Sequence, residues 1–272
     1  MTTVRHGRST DRVSSGSVVA MAPAHAPDPG SRADRAASFE HGASRYASTR
    51  PSYPDEAVDW LLPPGARRVL DLAAGTGKLT GVLLAEGHQV TAVEPDEEML
   101  SELVRRHGGV RALPGSAERI PLPDGTVDAV LVGQAFHWFD PARALPEIAR
   151  VLRPGGVIAG LWNSEDDSVG WIAEFGEVVQ TSVSTKRAEE IPLPDHPLFT
   201  DPAQADFPHT HRRTAESLVA TINTHSHALV ISAEERARLN ERMLAFLKSN
   251  PVTANGEFTY PLVTQAKRLV RI

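Results

Sequence analysis

Four short apolar runs, spaced so that a helix fits between neighbours, constrain this chain more than any other feature. They are Arg68–Val69–Leu70–Asp71–Leu72, Gln89–Val90–Thr91–Ala92–Val93–Glu94, Asp128–Ala129–Val130–Leu131–Val132 and Val157–Ile158–Ala159–Gly160–Leu161–Trp162. None shows the strict alternation of a strand with one face in water, so each reads as a strand covered on both faces. The first two are separated by a helical stretch, Lys78 to Ala85, that Gly87 stops. After the second comes a helix with Asp96, Glu97 and Glu98 in its first turn and Arg105, Arg106 and His107 in its last, closed by Gly108. Both charge groups complement the helix dipole. Val110–Arg111–Ala112–Leu113 reads as a short further strand. Asp140 and Pro141 open a helix towards Leu152, which Pro146 is expected to kink or delay. Arg153–Pro154–Gly155–Gly156 then turns into the last of the four runs. Strands alternating with helices imply βαβ units, and right-handed crossovers make these an α/β, doubly wound, mainly parallel sheet.

The flanks are less regular. Residues 1–36, rich in Ser, Arg, Ala, Pro and Gly without periodicity, are expected to be a disordered N-terminal extension, within which Met21 is an alternative start. Asp11, Asp28 and Asp34 interrupt the basic character that a transit peptide needs. Residues 37–165 form the expected core, entered through a capping-box pattern at Ser52 and Asp55 around Pro54. The helix that follows runs through Val58, Trp60 and Leu61 and ends at Pro63–Pro64–Gly65. Residues 166–272 are expected to complete the sheet and cover a pocket. Their pieces are a helix from Trp171 to about Val183, a Pro-rich loop from Ile191 to Pro202 and a helix capped by Ser232 and Glu235 ending near Lys248. A strand follows at Thr259–Val263, where Pro261 indicates an edge.

The charge balance argues against some partners. The 272 residues carry a net charge of −6, which disfavours binding driven by phosphate neutralisation, so no nucleic-acid partner is expected. The absence of cysteine excludes disulfides and thiolate chemistry and fits a reducing, cytoplasmic location. No apolar run approaches the roughly 20 residues that span a bilayer, so no membrane partner is expected either.

The chemistry is concentrated in Val69–Leu70–Asp71–Leu72–Ala73–Ala74–Gly75–Thr76–Gly77–Lys78. A Gly-x-Gly after a first strand lets the backbone turn sharply and approach a ligand at a helix N-terminus. Three neighbours narrow the ligand. Asp71 lies just before the turn, where a pyrophosphate would be repelled and an amino group welcomed. The third glycine of a dinucleotide site is replaced by Thr80. Glu94 ends the second strand, where an acid can accept hydrogen bonds from two ribose hydroxyls. Together they describe a nucleoside with an amino-acid tail and no phosphate, the chemistry of S-adenosyl-L-methionine. A Walker loop is excluded because Leu79 follows Lys78.

The stretch from Tyr46 to Trp162 resembles the class I methyltransferase family with a type-11 domain, and within it the enzymes that methylate small carboxylic acids, such as trans-aconitate and malonyl-carrier methyltransferases. The resemblance rests on Val69 to Gly77, on Ala92–Val93–Glu94–Pro95–Asp96 with Met99–Leu100, on Gly115 to Pro123, on Asp128 to Trp138, and on Leu152–Arg153–Pro154–Gly155–Gly156. It implies a Rossmann-like seven-stranded sheet with a C-terminal helical and edge-strand elaboration, and a small-molecule acceptor. Carried onto this chain, it places Asp71, Ala73, Gly75 and Gly77 around the methionine end and Glu94 at the ribose. Pro95 and Met99 then lie beside the adenine, Ser116 and Ala117 at its edge, and Gln134 on the sulfonium side. Relatives carry Asp where Ser116 stands, which removes charge assistance to the adenine amine. Simpler roles stay open for several of these: a satisfied turn acid for Asp71, a helix-capping charge for Glu94 and a core side chain for Met99. Glu118 reads as a solvated loop acid and Arg153 as a helix C-terminal charge.

Methyl transfer is an in-line displacement that demands mainly positioning and exclusion of water. An ionised acceptor needs no base, whereas an alcohol or phenol loses a proton. His137, past the fourth run, is the candidate general base. Its alternative role is to pack against Trp138 and fix the loop. Tyr46, Arg50 and Tyr53 belong to a segment that the resemblance makes a lid. Arg50 is placed to pair with a carboxylate of cofactor or acceptor, or else to be a surface charge beside Pro51. His209, His211, His225 and His227 lack the neighbouring acids or cysteines of a metal site and read as exposed or structural. Three rivals to an oxygen-directed small-molecule methyltransferase remain: a non-enzymatic cofactor-binding protein; a nicotinamide-dependent oxidoreductase, which Asp71 and Thr80 disfavour; and a nucleic-acid or protein methyltransferase, which the acidic balance and Gln134–Ala135–Phe136–His137 in place of an Asn/Asp-Pro-Pro-Tyr/Phe motif disfavour.

Overall fold

The computed structural model describes residues 50–182, 193–225, 228 and 230–272. The expected extension over residues 1–36 lies outside them, as do Tyr46 and His227.

Chain order is α1 (Asp55–Leu61), β1 (Arg68–Leu72), α2 (Lys78–Ala85), β2 (Gln89–Glu94), α3 (Glu97–Arg106), β3 (Arg111–Pro114) and β4 (Val127–Gly133). A 3-10 turn at Phe136–Trp138 leads to α4 (Pro141–Val151), β5 (Leu152–Glu165) and α5 (Gly170–Val178). The chain finishes with β6 (Ala203–Arg213), α6 (Ala215–Ile222), α7 (Ala233–Ser249) and β7 (Phe258–Val270). The seven strands form one sheet in the order β3-β2-β1-β4-β5-β7-β6. Pairing is parallel from β3 to β5, and β7 runs antiparallel to both β5 and β6. This is the mainly parallel, doubly wound sheet expected from the four runs and the Rossmann-like seven strands implied by the resemblance, with the order reversing at β1, where ligands of open α/β sheets bind.

Two apolar layers clamp the sheet. One face of β1, β4 and β5 packs Val69, Ala129, Leu131, Val157, Ala159 and Leu161 against α1 and α2 through Val58, Leu61, Leu79 and Leu83. The other face packs Leu70, Val130, Val132 and Ile158 against α4 through Leu145 and Ile148. A third cluster joins α5, α6 and α7 to the first part of β7.

Several expectations shift in detail. No side chain caps α1: Pro54 occupies the N-cap position, and Ser52 lies in the strap before it. The box at α7 is half formed, because Ser232 Oγ accepts from Glu235 N at 3.2 Å while the Glu235 carboxylate accepts from Ser182 N and Oγ. Helix α4 starts at Pro141 with Asp140 as its cap and continues through Pro146. Helix α5 stops at Val178. Residues Arg153–Gly156 belong to β5, where the register against β4 shifts between Val127 and Ala129. Pro261 does not mark the sheet edge, because β7 lies between β5 and β6. The last pair of β5 with β7 is Glu165 with Leu262, so Pro261 pairs with Thr210 of β6 and on its other side only accepts, through its carbonyl, from Asp166 N at 3.3 Å just past β5. A proline is tolerated there for the usual edge-strand reason. The true edge, β6, has Phe207 as its only large apolar residue and carries little strand signal.

Candidate functional site

The turn from β1 to α2 is built from left-handed residues at alternate positions: Ala73 at φ 57°, Gly75 at φ 55° and Gly77 at φ 83°. Ala73 adopts this conformation despite its Cβ, a strain that surrounding contacts must outweigh. Ala74 N donates to Val93 O at 3.1 Å, which ties the turn to β2. A Cβ on Gly75 would meet only the Met99 sulfur, at 3.8 Å, so the space over this glycine is open. A Cβ on Gly77 would lie 2.7 Å from the His107 ring and 2.9 Å from Leu103. Gly77 is therefore required twice, for its φ and for the approach of α3.

Glu94 ends β2 and is 6% exposed. Its Oε2 accepts from Gly75 N at 2.8 Å and its Oε1 from Asp96 N at 2.9 Å. Burial raises its pKa, and these two backbone N–H groups oppose the rise. Each oxygen keeps a lone pair for a further donor. Asp96 in turn caps α3 by accepting from Met99 N at 2.8 Å. Glu94 thus fastens the glycine turn to the start of α3, which brings Gly75, Glu94 and Met99 together.

Asp71 is 1% exposed. Its Oδ2 accepts from Thr80 Oγ1 at 2.6 Å. Burial pushes its carboxyl up to about 7, against the two hydrogen bonds from Thr80. In the ligand-free chain the Asp71 carboxyl is thus satisfied by Thr80 of α2, an arrangement compatible with either role weighed for it. Thr80, noted in the sequence only as a missing glycine, is the residue that satisfies it. A strand acid followed nine residues later by a hydroxyl was the available signal.

The adenine-side candidates gather at the ends of β2 and β3. Pro95 is exposed, Met99 and Ser116 are half-buried and Ala117 is buried. Glu118 is more than a solvated acid, because it accepts from Asp140 N at 3.0 Å and from the Ser116 side chain, tying this loop to α4. Arg153 pairs with Asp128 at 3.2 Å, at the opposite end of the sheet. Gln134, left-handed at φ 59°, donates Nε2 to Asn163 O at 3.0 Å and so turns its amide towards β5.

Residues 50–53 form a strap over the strand ends. Arg50 Nη2 donates to Thr224 O at 3.0 Å, a contact different from the carboxylate pairing considered for it. Asn163 Nδ2 donates to Ser52 O at 3.0 Å. Tyr53 is buried, and its hydroxyl lies 2.5 Å from where a Cβ on Gly133 would stand, so the bare end of β4 makes room for it. His137 is exposed and stacks on Trp138 at 4.8 Å between ring centroids, the alternative role considered for it. His209 and His211 lie on β6 with half-buried rings, and burial lowers the pKa of each, that of His211 to about 4. Asn163 and Thr264, which contact each other, carried no motif in the sequence.

Known proteins match this arrangement. Residues 70–160 match the methyltransferase domain model. An uncharacterized methyltransferase of Mycobacterium tuberculosis is 44% identical over 239 residues, which cover 88% of this chain and 97% of that protein. A malonyl-[acyl-carrier protein] O-methyltransferase of Methylococcus capsulatus is 36% identical over 141 residues, 48% of this chain and 50% of that one. A solved structure from Anaeromyxobacter dehalogenans, described as a candidate type II methyltransferase, superposes with a TM-score of 0.58 at 26% identity and covers 82% of this chain and 97% of that one. A relative this similar along nearly its whole length, a matching domain model and the strand order leave one assignment: the chain belongs to the class I S-adenosylmethionine-dependent methyltransferase family.

Proposed function

We propose that this chain transfers the methyl group of S-adenosyl-L-methionine to an oxygen of a small-molecule acceptor by in-line displacement. The observation that carries the reading is the pair of buried carboxyl groups at the ends of adjacent strands, Asp71 and Glu94, on either side of a turn with open space over Gly75. The cofactor fits these residues. Glu94 retains lone pairs for two ribose hydroxyls, and Met99 and Pro95 offer an apolar flank beside it. Asp71, poised near 7, ionises more readily when an ammonium approaches the turn. When bound, the cofactor supplies an activated methyl group. The residues of the chain orient it, shield it from water beneath the strap and hold the acceptor in line. A pyrophosphate suits the turn poorly, because Thr80 and Asp71 fill the place where a dinucleotide fold packs its third glycine. The oxygen-directed activity of the malonyl-carrier relative supports the choice of acceptor atom over about half of the chain.

The test is to incubate the purified chain with isotope-labelled cofactor and a metabolite extract and to identify the labelled product by mass spectrometry. Glu94→Ala is expected to weaken S-adenosylhomocysteine binding at least tenfold by calorimetry, and Asp71→Asn to weaken it measurably. Unchanged affinity in both would refute this site. Tight binding with no labelled product would favour the non-enzymatic reading.

A further inference from the structure

Resting on the methyltransferase reading above, we infer that His209 is the general base for a hydroxyl acceptor, its ring set by a one-way chain of donors through Thr264 and Asn163 to the strap.

The sheet places His209 towards the end that carries the glycine turn. Strand β4 ends at Gly133, paired with Leu161. Strand β5 continues to Glu165, paired with Leu262, and β6 and β7 continue to Arg213 paired with Phe258. Beyond the ends of β1 and β4 the β6–β7 ribbon therefore rises as a side wall, across from the β2 side that holds Glu94. Facing pairs and alternation put Asn163, Thr264 and His209 on one face of that wall, the face that Tyr53 and α1 cover lower down.

The hydrogens in this chain can be assigned by counting. Asn163 Nδ2 is committed to Ser52 O at 3.0 Å, so Oδ1 is the atom facing Thr264. Thr264 Oγ1, 2.5 Å from Oδ1, spends its single hydrogen there. His209 Nε2, 3.0 Å from the same Oγ1, must then be the donor. In the neutral ring that leaves the lone pair on Nδ1, which has no hydrogen-bond partner among the described residues. Thr264 is fully buried, so the link is shielded from water.

The line of donors His209–Thr264–Asn163–Ser52 contains no carboxylate that would raise the basicity of the ring, and burial holds the His209 pKa below 6.5. The ring is therefore unprotonated at neutral pH. On the same face of the ribbon stand His211 and Arg213 on β6, Tyr260 on β7 and Glu165 on β5, with Lys78 at the start of α2 near His211. In the step assigned to His209, Nδ1 takes the hydroxyl proton as the acceptor oxygen forms its bond to the methyl carbon. The carbon–sulfur bond breaks with its electron pair on sulfur, giving a methyl ether, a neutral thioether and an imidazolium that later releases its proton to water. Thr264 and Asn163 are positioning residues that support the positive ring through Nε2–H.

The test uses the full chain with labelled S-adenosylmethionine and a panel of phenols, alcohols and carboxylic acids. Label is expected in methyl ethers, with the rate falling as pH drops through the lowered His209 pKa. His209→Gln should cut the rate about 100-fold and flatten the pH profile while S-adenosylhomocysteine affinity stays within about threefold. Thr264→Val should slow transfer about tenfold, and Thr264→Ser should restore it. Equal rates for wild type and His209→Gln, or label appearing only in carboxylic esters without pH dependence, would overturn the assignment. Nitrogen-15 NMR of the histidines reads the tautomer independently of turnover: neutral Nε2–H is expected, and Nδ1–H would overturn the proposal. Failure to bind S-adenosylhomocysteine at all would instead defeat the methyltransferase reading.

Discussion

At the scale of single residues, the buried Asp71 carboxyl makes stability depend on pH. Its folded pKa of about 7 stands above the ordinary 3.8. Between these values the unfolded chain has released a proton that the folded chain retains, so rising pH favours unfolding across that window. The cost amounts to roughly 4 kcal/mol at the upper end, since each unit is worth about 1.4 kcal/mol. Urea titrations from pH 4.5 to 8 should show ligand-free protein losing stability as pH rises, and Asp71→Asn should remove most of that slope. An identical slope in the variant would show that the carboxyl is not held protonated. Thr80→Val should destabilise the fold by about 1–3 kcal/mol, because it removes the donor that satisfies a buried carboxyl. Both acids could be read from the sequence as a ligand pair. That Asp71 would be closed over by Thr80 could not, because the packing of α2 onto β1 decides how far a side chain is removed from water.

At the scale of elements, α2 and α3 meet through hydrogen in place of side chains. Gly77 and Gly87 share a positive φ, at 83° and 85°, but a Cβ would strike His107 and Leu103 at the first and nothing within 4 Å at the second. Alanine at either position carries the left-handed penalty of about 1–2 kcal/mol, and only Gly77→Ala adds a collision. Gly77→Ala is therefore expected to lower the denaturation midpoint distinctly more than Gly87→Ala. Equal losses would mean that φ alone makes Gly77 necessary. Local chemistry made β1, α2 and β2 readable to the residue and α3 to within one residue at each end, because strand apolarity, a glycine turn and end charges all agree, while Asp96 and His107, read as helical, are the caps. Agreement fails at α1, where Ser52 and Asp55 match a cap pattern that the extended Pro54 displaces. It fails again at β6, a sheet edge whose polar residues and single Phe207 carry too little alternation to read.

At the scale of the whole molecule, one strap couples the segment before α1 to the ends of β4 and β5 and to the turn after α6. Arg50 holds Thr224, Asn163 holds Ser52, and Tyr53 fills the space over Gly133. Asn163→Ala is expected to speed proteolytic cleavage near residues 50–53 and to weaken S-adenosylhomocysteine binding several-fold, with little change in global stability. Unchanged cleavage would show the strap to be held elsewhere. The chain by itself determined the parallel core and the cofactor turn, because those depend on patterns within about ten residues: apolar runs, a glycine bend, acids at strand ends and charges at helix ends. Only the tertiary structure decided the place of β7 inside the sheet, the rise of the β6–β7 ribbon as a wall, and the line from His209 through Thr264 and Asn163 to Ser52. The last link of that line alone joins residues 111 positions apart. Hydrogen bonds between such distant groups leave no periodic trace in sequence, because it is the register of three strands that brings the groups within reach.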